Sequence, residues 1–182
     1  MIVGQLEFYW DVHLRPRLDA LTDEEYLWEP VSECWSVRRG DDGNWAMDWA
    51  WPEPSPAPIT TIAWRMMHIA VTGLANRAAA FFGEDPFPDV DMNDPKRNPA
   101  SVPGTAAEAV AYLDKAYATW LAGISALDEQ DMAKPLGPKG GEYADDTMAG
   151  LIVHINREVM HHGGEIGVLR DLYRAGLGGR GV

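Results

Sequence analysis

The chain is poor in cysteine, in basic residues and in long apolar runs. Its 182 residues hold one cysteine, Cys34. A single thiol closes no intramolecular disulfide, and a zinc site built from cysteines is excluded. Cys34 reads as a buried or loop thiol, because a nucleophilic cysteine needs a neighbouring base and the local sequence supplies none. Lys and Arg number 15 against 28 Asp and Glu, a formal net charge of −13. Neutralising phosphate requires clustered positive charge, so neither a nucleic acid nor an anionic membrane surface is an expected partner. No apolar run reaches the ~18 to 20 residues of a membrane span. The segment Met1-Ile2-Val3-Gly4-Gln5-Leu6-Glu7 has no basic n-region and no signal-type apolar stretch, so a cytoplasmic location is expected. Strand signals are nearly absent, and no repeat or long low-complexity tract is visible.

What is present is ordinary for a soluble globular protein, with 46% hydrophobic and 24% charged residues. The length predicts one domain over 1–182. A chain this long buries about 70% of the surface its unfolded form exposes, and needs no metal or disulfide merely to fold.

Four segments carry helical apolar periodicity. The first spans about 2–21, with Leu6, Trp10, Leu14, Leu18 and Leu21 on one face and a kink or early stop expected at Pro16. The second spans about 59–83, with Thr60 or Thr61 as N-cap and Trp64, Met67, Val71, Ala75, Ala78 and Phe82 on its face. The third spans about 105–127. It opens on Thr105 and Glu108, the form of a capping box, and carries Val110, Leu113, Tyr117, Trp120, Ile124 and Leu127. The fourth spans about 145–175, with Asp146 as candidate cap and Met148, Leu151, Ile152, Ile155, Val159, Ile166, Leu169 and Tyr173 as its stripe. Four such helices predict an all-α fold, a four-helix bundle. The loops, about 37 and 20 residues after the first two helices, are long enough to cross the bundle and to serve a function.

The chemistry sits on the fourth helix, in the run His154-Ile155-Asn156-Arg157-Glu158-Val159-Met160-His161-His162-Gly163-Gly164-Glu165. Glu158 and His162 are four apart and stack one turn above the other. Both fall on the apolar stripe, where an unpaired carboxylate is expensive and a metal is the usual remedy. The alternative is a solvated face, with Glu158 paired to Arg157 or Arg174. His68, on the stripe of the second helix, reads alone as a satisfied core histidine. With Glu158 and His162 it completes a His₂Glu set, the ligand type of catalytic zinc with one position left open. His154, one turn before Glu158, is either a ligand or a pocket wall, and His13 is a further ligand candidate. His161, about 100° around the helix from His162, belongs at the pocket rim.

These residues resemble the DinB/YfiT-like superfamily of four-helix-bundle metalloproteins. His68, the run from His154 to Glu165 and the pair Leu169-Arg170 carry the resemblance. The opening Leu21-Thr22-Asp23-Glu24-Glu25-Tyr26-Leu27-Trp28-Glu29-Pro30 and the segment Thr60-Thr61-Ile62-Ala63-Trp64-Arg65 are similar too. The resemblance implies an up-down-down-up bundle, often dimeric, with a divalent metal on His68, Glu158 and His162. Glutamate at 158, where histidine is commoner, is similar to the branch containing mycothiol-dependent maleylpyruvate isomerase. The commoner run His-His-Arg-Gly-Gln is here His161-His162-Gly163-Gly164-Glu165. For several members the resemblance implies a thiol-dependent transferase, in which the metal holds a low-molecular-weight thiol as thiolate. Mycothiol, bacillithiol and glutathione all fit that role. Eleven of the 15 basic residues are Arg, and abundant Ala, Gly and Pro hint at a high-GC bacterium and so at mycothiol.

Six of the eight tryptophans, Trp28, Trp35, Trp45, Trp49, Trp51 and Trp64, lie between positions 28 and 64. They form either a second small core or the wall of a pocket over the metal, with Trp64 the best candidate for the wall. Arg65 and Arg170 are candidates for holding a substrate or cofactor carboxylate, the alternative for each being an ion pair. Three functions follow. The first is a thiol-dependent transferase or isomerase acting on a small electrophile, with zinc as metal and nickel, iron or manganese also suited to the ligands. The second is a metal-dependent small-molecule hydrolase with His154 or His161 as base. The third is a non-catalytic metal- or ligand-binding bundle.

Overall fold

A computed structural model describes residues 1–50, 52 and 54–179. Trp51 lies outside the described residues. Helix α1 (2–17) begins as Ile2–Tyr9, passes through π-helical turns over Trp10–Leu14 and ends with Arg15–Arg17. Pro16 stands in this last turn, where it can donate no hydrogen bond and its ring crowds the carbonyl four residues back. The π turns widen the helix directly ahead of it. A short helix α2, Asp23–Tyr26, follows, capped by Thr22, whose hydroxyl accepts from Glu25 N.

Helix α3 (62–82) comprises Ile62–Met67, a π-helical stretch His68–Ala75 and Asn76–Phe82. Its cap is Thr61, whose hydroxyl accepts from Trp64 N at 3.2 Å. Helix α4 is Ala106–Ser125 and helix α5 is Glu129–Met132. Helix α6, Met148–Arg174, is capped by Thr147. The cap is therefore Thr147 rather than Asp146. At α4 only half of the capping box forms. Thr105 Oγ1 accepts from Glu108 N, but the Glu108 carboxylate accepts from the Thr105 hydroxyl instead of the backbone N–H.

The strand content is small, as the near absence of strand signals leads one to expect. Strands β1, Val37–Arg39, and β2, Trp45–Met47, form a small antiparallel hairpin with Val37 opposite Met47 and Arg39 opposite Trp45. It belongs to the first crossover and leaves the bundle unchanged.

The contacts between helices establish the direction of each. Asn156 Nδ2 donates to Ile2 O, Tyr9 Oη to Met160 O, and Arg17 pairs with Asp171, so α1 and α6 run parallel. Arg15 pairs with Asp114 while Trp10 stacks on Tyr117 with ring centroids 3.8 Å apart, so α1 and α4 are antiparallel. Phe82, at the end of α3, lies against Trp120 near the end of α4, which makes those two parallel. Arg65 meets Glu165 and His68 meets Glu158, so α3 and α6 are antiparallel. The order is up, down, down, up, as the resemblance implies.

One contiguous apolar cluster fills the bundle. Leu6, Leu14, Ile62, Met66, Leu74, Leu113, Trp120, Ile152, Ile155 and Ile166 are among its buried members. Helix α3 is buried on nearly all sides, because the crossover over 18–61 covers the face that the other helices leave open. An ion pair anchors that crossover. Arg170 on α6, 1% exposed, donates to both oxygens of Glu25 at 2.7 and 2.9 Å and to the carbonyls of Arg17 and Asp19. The second crossover, over 83–105, is organised by Arg97. It reaches both oxygens of Asp85 and the carbonyls of Phe87, Val90 and Asp91.

Candidate metal centre

Antiparallel packing of α3 on α6 brings His68 opposite Glu158 and His162. His68 Nε2 lies 3.7 Å from Glu158 Oε2, and His162 Nε2 lies 3.5 Å from the same oxygen. The three donor atoms all stand within 4.8 Å of one another. The imidazoles meet edge to face, with centroids 4.7 Å apart. These separations are too long for hydrogen bonds. They match tetrahedral coordination, in which bonds of about 2.0–2.1 Å place neighbouring donors roughly 3.3–3.4 Å apart. The donor set therefore fits a divalent ion.

The tautomers of both imidazoles follow from their partners. Thr72 Oγ1 donates its single proton to His68 O at 2.6 Å, which leaves its oxygen to accept from His68 Nδ1–H at 3.2 Å. His162 Nδ1–H donates to Glu165 Oε2 at 2.8 Å. Both rings thus turn an Nε2 lone pair toward Glu158. Glu165 is itself paired with Arg65 across the α3–α6 interface. Neither Thr72 nor Glu165 stands out in the sequence as a site residue. The signal was present as helical spacing, threonine four residues after His68 and glutamate three after His162.

Electrostatics keep the set ready for a cation. Once its ring is protonated, His68 would hold the Glu158 carboxyl down at about 2, against burial that pushes it up. Burial, followed by the neighbouring His68, pulls His162 down to about 4, so its ring is neutral at pH 7.

The structure separates the other candidates. His154 Nδ1 lies 3.9 Å from Glu158 Oε1 but accepts a hydrogen bond from Arg157 at 2.7 Å. That lone pair is occupied, so His154 stands beside the trio without joining it. Arg157, offered as an alternative partner for Glu158, is spent on His154, and Arg174 lies 3.7 Å from Glu25 instead. His161 is mostly exposed, with Nε2 3.5 Å from Glu165 Oε1. His13 is exposed on α1 beside Phe8 and Tyr9, away from the cluster. Arg65 is engaged with Glu165, and Arg170 with Glu25 two turns beyond His162. Cys34 is buried, and its thiol donates to Val31 O.

Trp64 stacks on His68 with centroids 4.9 Å apart and planes 8° from parallel. Its Nε1 donates to Asp48 O at 2.9 Å. Trp35 lies 5.9 Å from Trp64, and the exposed Trp49 lies 6.2 Å from Trp35. These three rings run from the surface to His68. Trp28 and Trp45 pack elsewhere, Trp28 against Tyr173 and Trp45 over Gly104.

The residue after His162 also has a structural reason. A Cβ at Gly163 would stand 2.6 Å from Tyr9 Oη, so a side chain there would displace the Tyr9 ring from α6. The arginine commoner at this position has no room here.

A helical bundle with a His₂Glu cluster between its second and last long helices defines a class of bundle with a candidate metal site. The family model for the DinB superfamily matches residues 5–166, and the chain belongs to that superfamily. No curated protein and no solved structure matches the chain. Among the described residues no helix is long and apolar enough to cross a membrane.

Proposed function

We propose that the protein is a metal-dependent enzyme whose divalent ion, zinc in the first instance, is held by His68, Glu158 and His162. In this reading it joins a low-molecular-weight thiol such as mycothiol to a small electrophile, as a transferase or isomerase. The observation that supports this best is the donor set itself. Three protein ligands, two of them imidazoles oriented with Nε2 inward, leave a coordination position open, as catalytic rather than structural sites do. When bound, the metal supplies Lewis-acid charge that makes a coordinating thiol a nucleophile at neutral pH.

The chain's own residues have definite tasks in this scheme. His68 and His162 bind as neutral rings, and Glu158 offsets one unit of the cation's charge. Trp64 covers one face of His68 and keeps water from that side. Trp35 and Trp49 extend an apolar wall outward, suited to the carbon skeleton of a small substrate. We place the activity in the cytoplasm, in a monomer or a homodimer, with no nucleic acid or membrane involved.

A second reading, a hydrolase, would take His154 as base: it stands beside Glu158 and burial disfavours its protonation, but its lone pair must first be released by Arg157. The two readings separate in one assay. Zinc-loaded protein is offered activated esters and electrophilic alkenes, with and without mycothiol or glutathione. Turnover that requires the thiol supports the transferase, whereas ester turnover without thiol that is lost in His154→Gln supports the hydrolase. No turnover in either arm, with zinc bound, leaves a non-catalytic metal-binding bundle and contradicts both.

A further inference from the structure

We propose that Glu165 and Thr72 are positioning residues that lock His162 and His68 in the metal-binding tautomer, with Arg65 holding Glu165 in place. The inference rests on the metal reading above and assigns roles to residues outside the ligand set. A neutral imidazole carries one N–H and one lone pair, and the wrong tautomer presents a proton to the ion. Each ligand here has its Nδ1 proton claimed by an acceptor on its own helix, His68 by the Thr72 hydroxyl and His162 by the Glu165 carboxylate. The two acceptors stand on different helices yet produce the same result at both rings. Hydrogen-bonding to an ionised acceptor is about twice as strong as to a neutral one, so His162 is the more firmly fixed of the two.

Glu165 needs an anchor, because a carboxylate on a helix surface has several rotamers. Arg65 provides it from the facing helix. Its guanidinium pairs with Glu165 Oε2, the oxygen that accepts from His162, and its Nε donates to Thr60 O. The chain Thr60–Arg65–Glu165–His162 thus ties the start of α3 to a ligand on α6. The alternative is that Glu165 is itself a ligand, in a second cluster with His161 and His162. The geometry disfavours it. Glu165 Oε2 is already shared between Arg65 and His162, and the His162 nitrogen facing it carries the proton.

The test uses the full chain, with zinc affinity measured by competition against a chromophoric chelator and folding followed by circular dichroism. Wild type is compared with Glu165→Gln, Thr72→Val, His162→Ala and the double variant E165Q/H162A. Loss of a group that orients a metal ligand typically weakens binding about 10–100-fold. That weakening is expected in Glu165→Gln, with a smaller loss in Thr72→Val and an altered visible spectrum of the cobalt-substituted protein in both. In the His162→Ala background, Glu165→Gln is expected to change nothing further, because its effect passes through that ring. Wild-type affinity in Glu165→Gln, or an equal loss with His162 absent, overturns the proposal. If Glu165→Gln does not fold, Thr72→Val decides, and unchanged affinity there overturns it. Two zinc ions per wild-type chain favour the second cluster and overturn it as well. No zinc in wild type overturns this proposal together with the metal reading, whereas zinc in wild type and equally in the variants overturns this one alone.

Discussion

Glu158 is a carboxylate on the apolar stripe of a long helix, and His162 is a neutral imidazole one turn above it. In the metal-free protein both folded-state pKa values lie below their unfolded values, His162 at about 4 and Glu158 at about 2. The unfolded chain therefore binds protons first as pH falls. His162 contributes stability that is fully present above about pH 6.5 and lost as pH falls toward 4. Glu158 contributes stability present above about pH 4.5 and lost toward pH 2. Urea unfolding of chelator-treated protein between pH 7.5 and 4.5 should show stability falling through that range, and His162→Gln should flatten the fall. At Arg170 the expectation is different in kind. Arg170→Met strands Glu25 as a buried charge without its main partner, which typically destabilises a fold by about 3–5 kcal/mol. The double variant Arg170→Met/Glu25→Leu should recover much of that loss, as read by denaturant midpoints.

Helices α3 and α6 place the donors, and their own signals are local. Thr147→Ala removes the acceptor for Gly150 N and should lower stability by about 1 kcal/mol in chemical denaturation. Gly163→Ala gains about 1 kcal/mol of helix propensity but forces a Cβ against Tyr9, an overpacking that typically costs about 1–3 kcal/mol. The net effect should be a loss, smaller in a Tyr9→Phe background, where the hydroxyl at 2.6 Å is gone. Much at this scale was legible in the sequence. The stripe Leu6, Trp10, Leu14, Leu18 identified α1, and the i, i+4 spacing of Glu158 and His162 put both on one line. Three things were not legible. The cap went to Thr147 rather than Asp146, because adjacent cap-capable residues differ only in backbone geometry. The hairpin leaves no clear mark in the sequence, since strands of three residues carry too little alternation to register. The π turns at Trp10–Leu14 and His68–Ala75 leave no periodicity signal that apolar spacing resolves.

The molecule is a bundle whose second and last long helices belong to sequence segments some ninety residues apart. An ion on His68, Glu158 and His162 would join them, so metal binding and stability are linked. At free zinc 100 times its dissociation constant the gain is about 2.7 kcal/mol. For a chain of this size that corresponds to a rise in Tm of roughly 5–11 °C, expected in wild type and absent in Glu158→Gln. The grouping of His68 with the last helix is legible in the sequence only in combination, because Glu158 and His162 on one apolar stripe and His68 on another make a ligand set that none of them makes alone. The roles of Thr72 and Glu165 were not, because a threonine or a glutamate on a helix has many ordinary uses. Arg65 could be read from sequence as a carboxylate holder, and the carboxylate it meets in the fold is Glu165 of the same chain.

The central claim is that His68, Glu158 and His162 form one metal site. Elemental mass spectrometry on protein purified without an affinity tag tests it most directly, with wild type beside Glu158→Gln and His68→Ala. The expected result is close to one divalent ion per wild-type chain and a large loss in both variants, with helical content unchanged. No metal in wild type, together with failed reconstitution by zinc, nickel, iron and manganese, would contradict it.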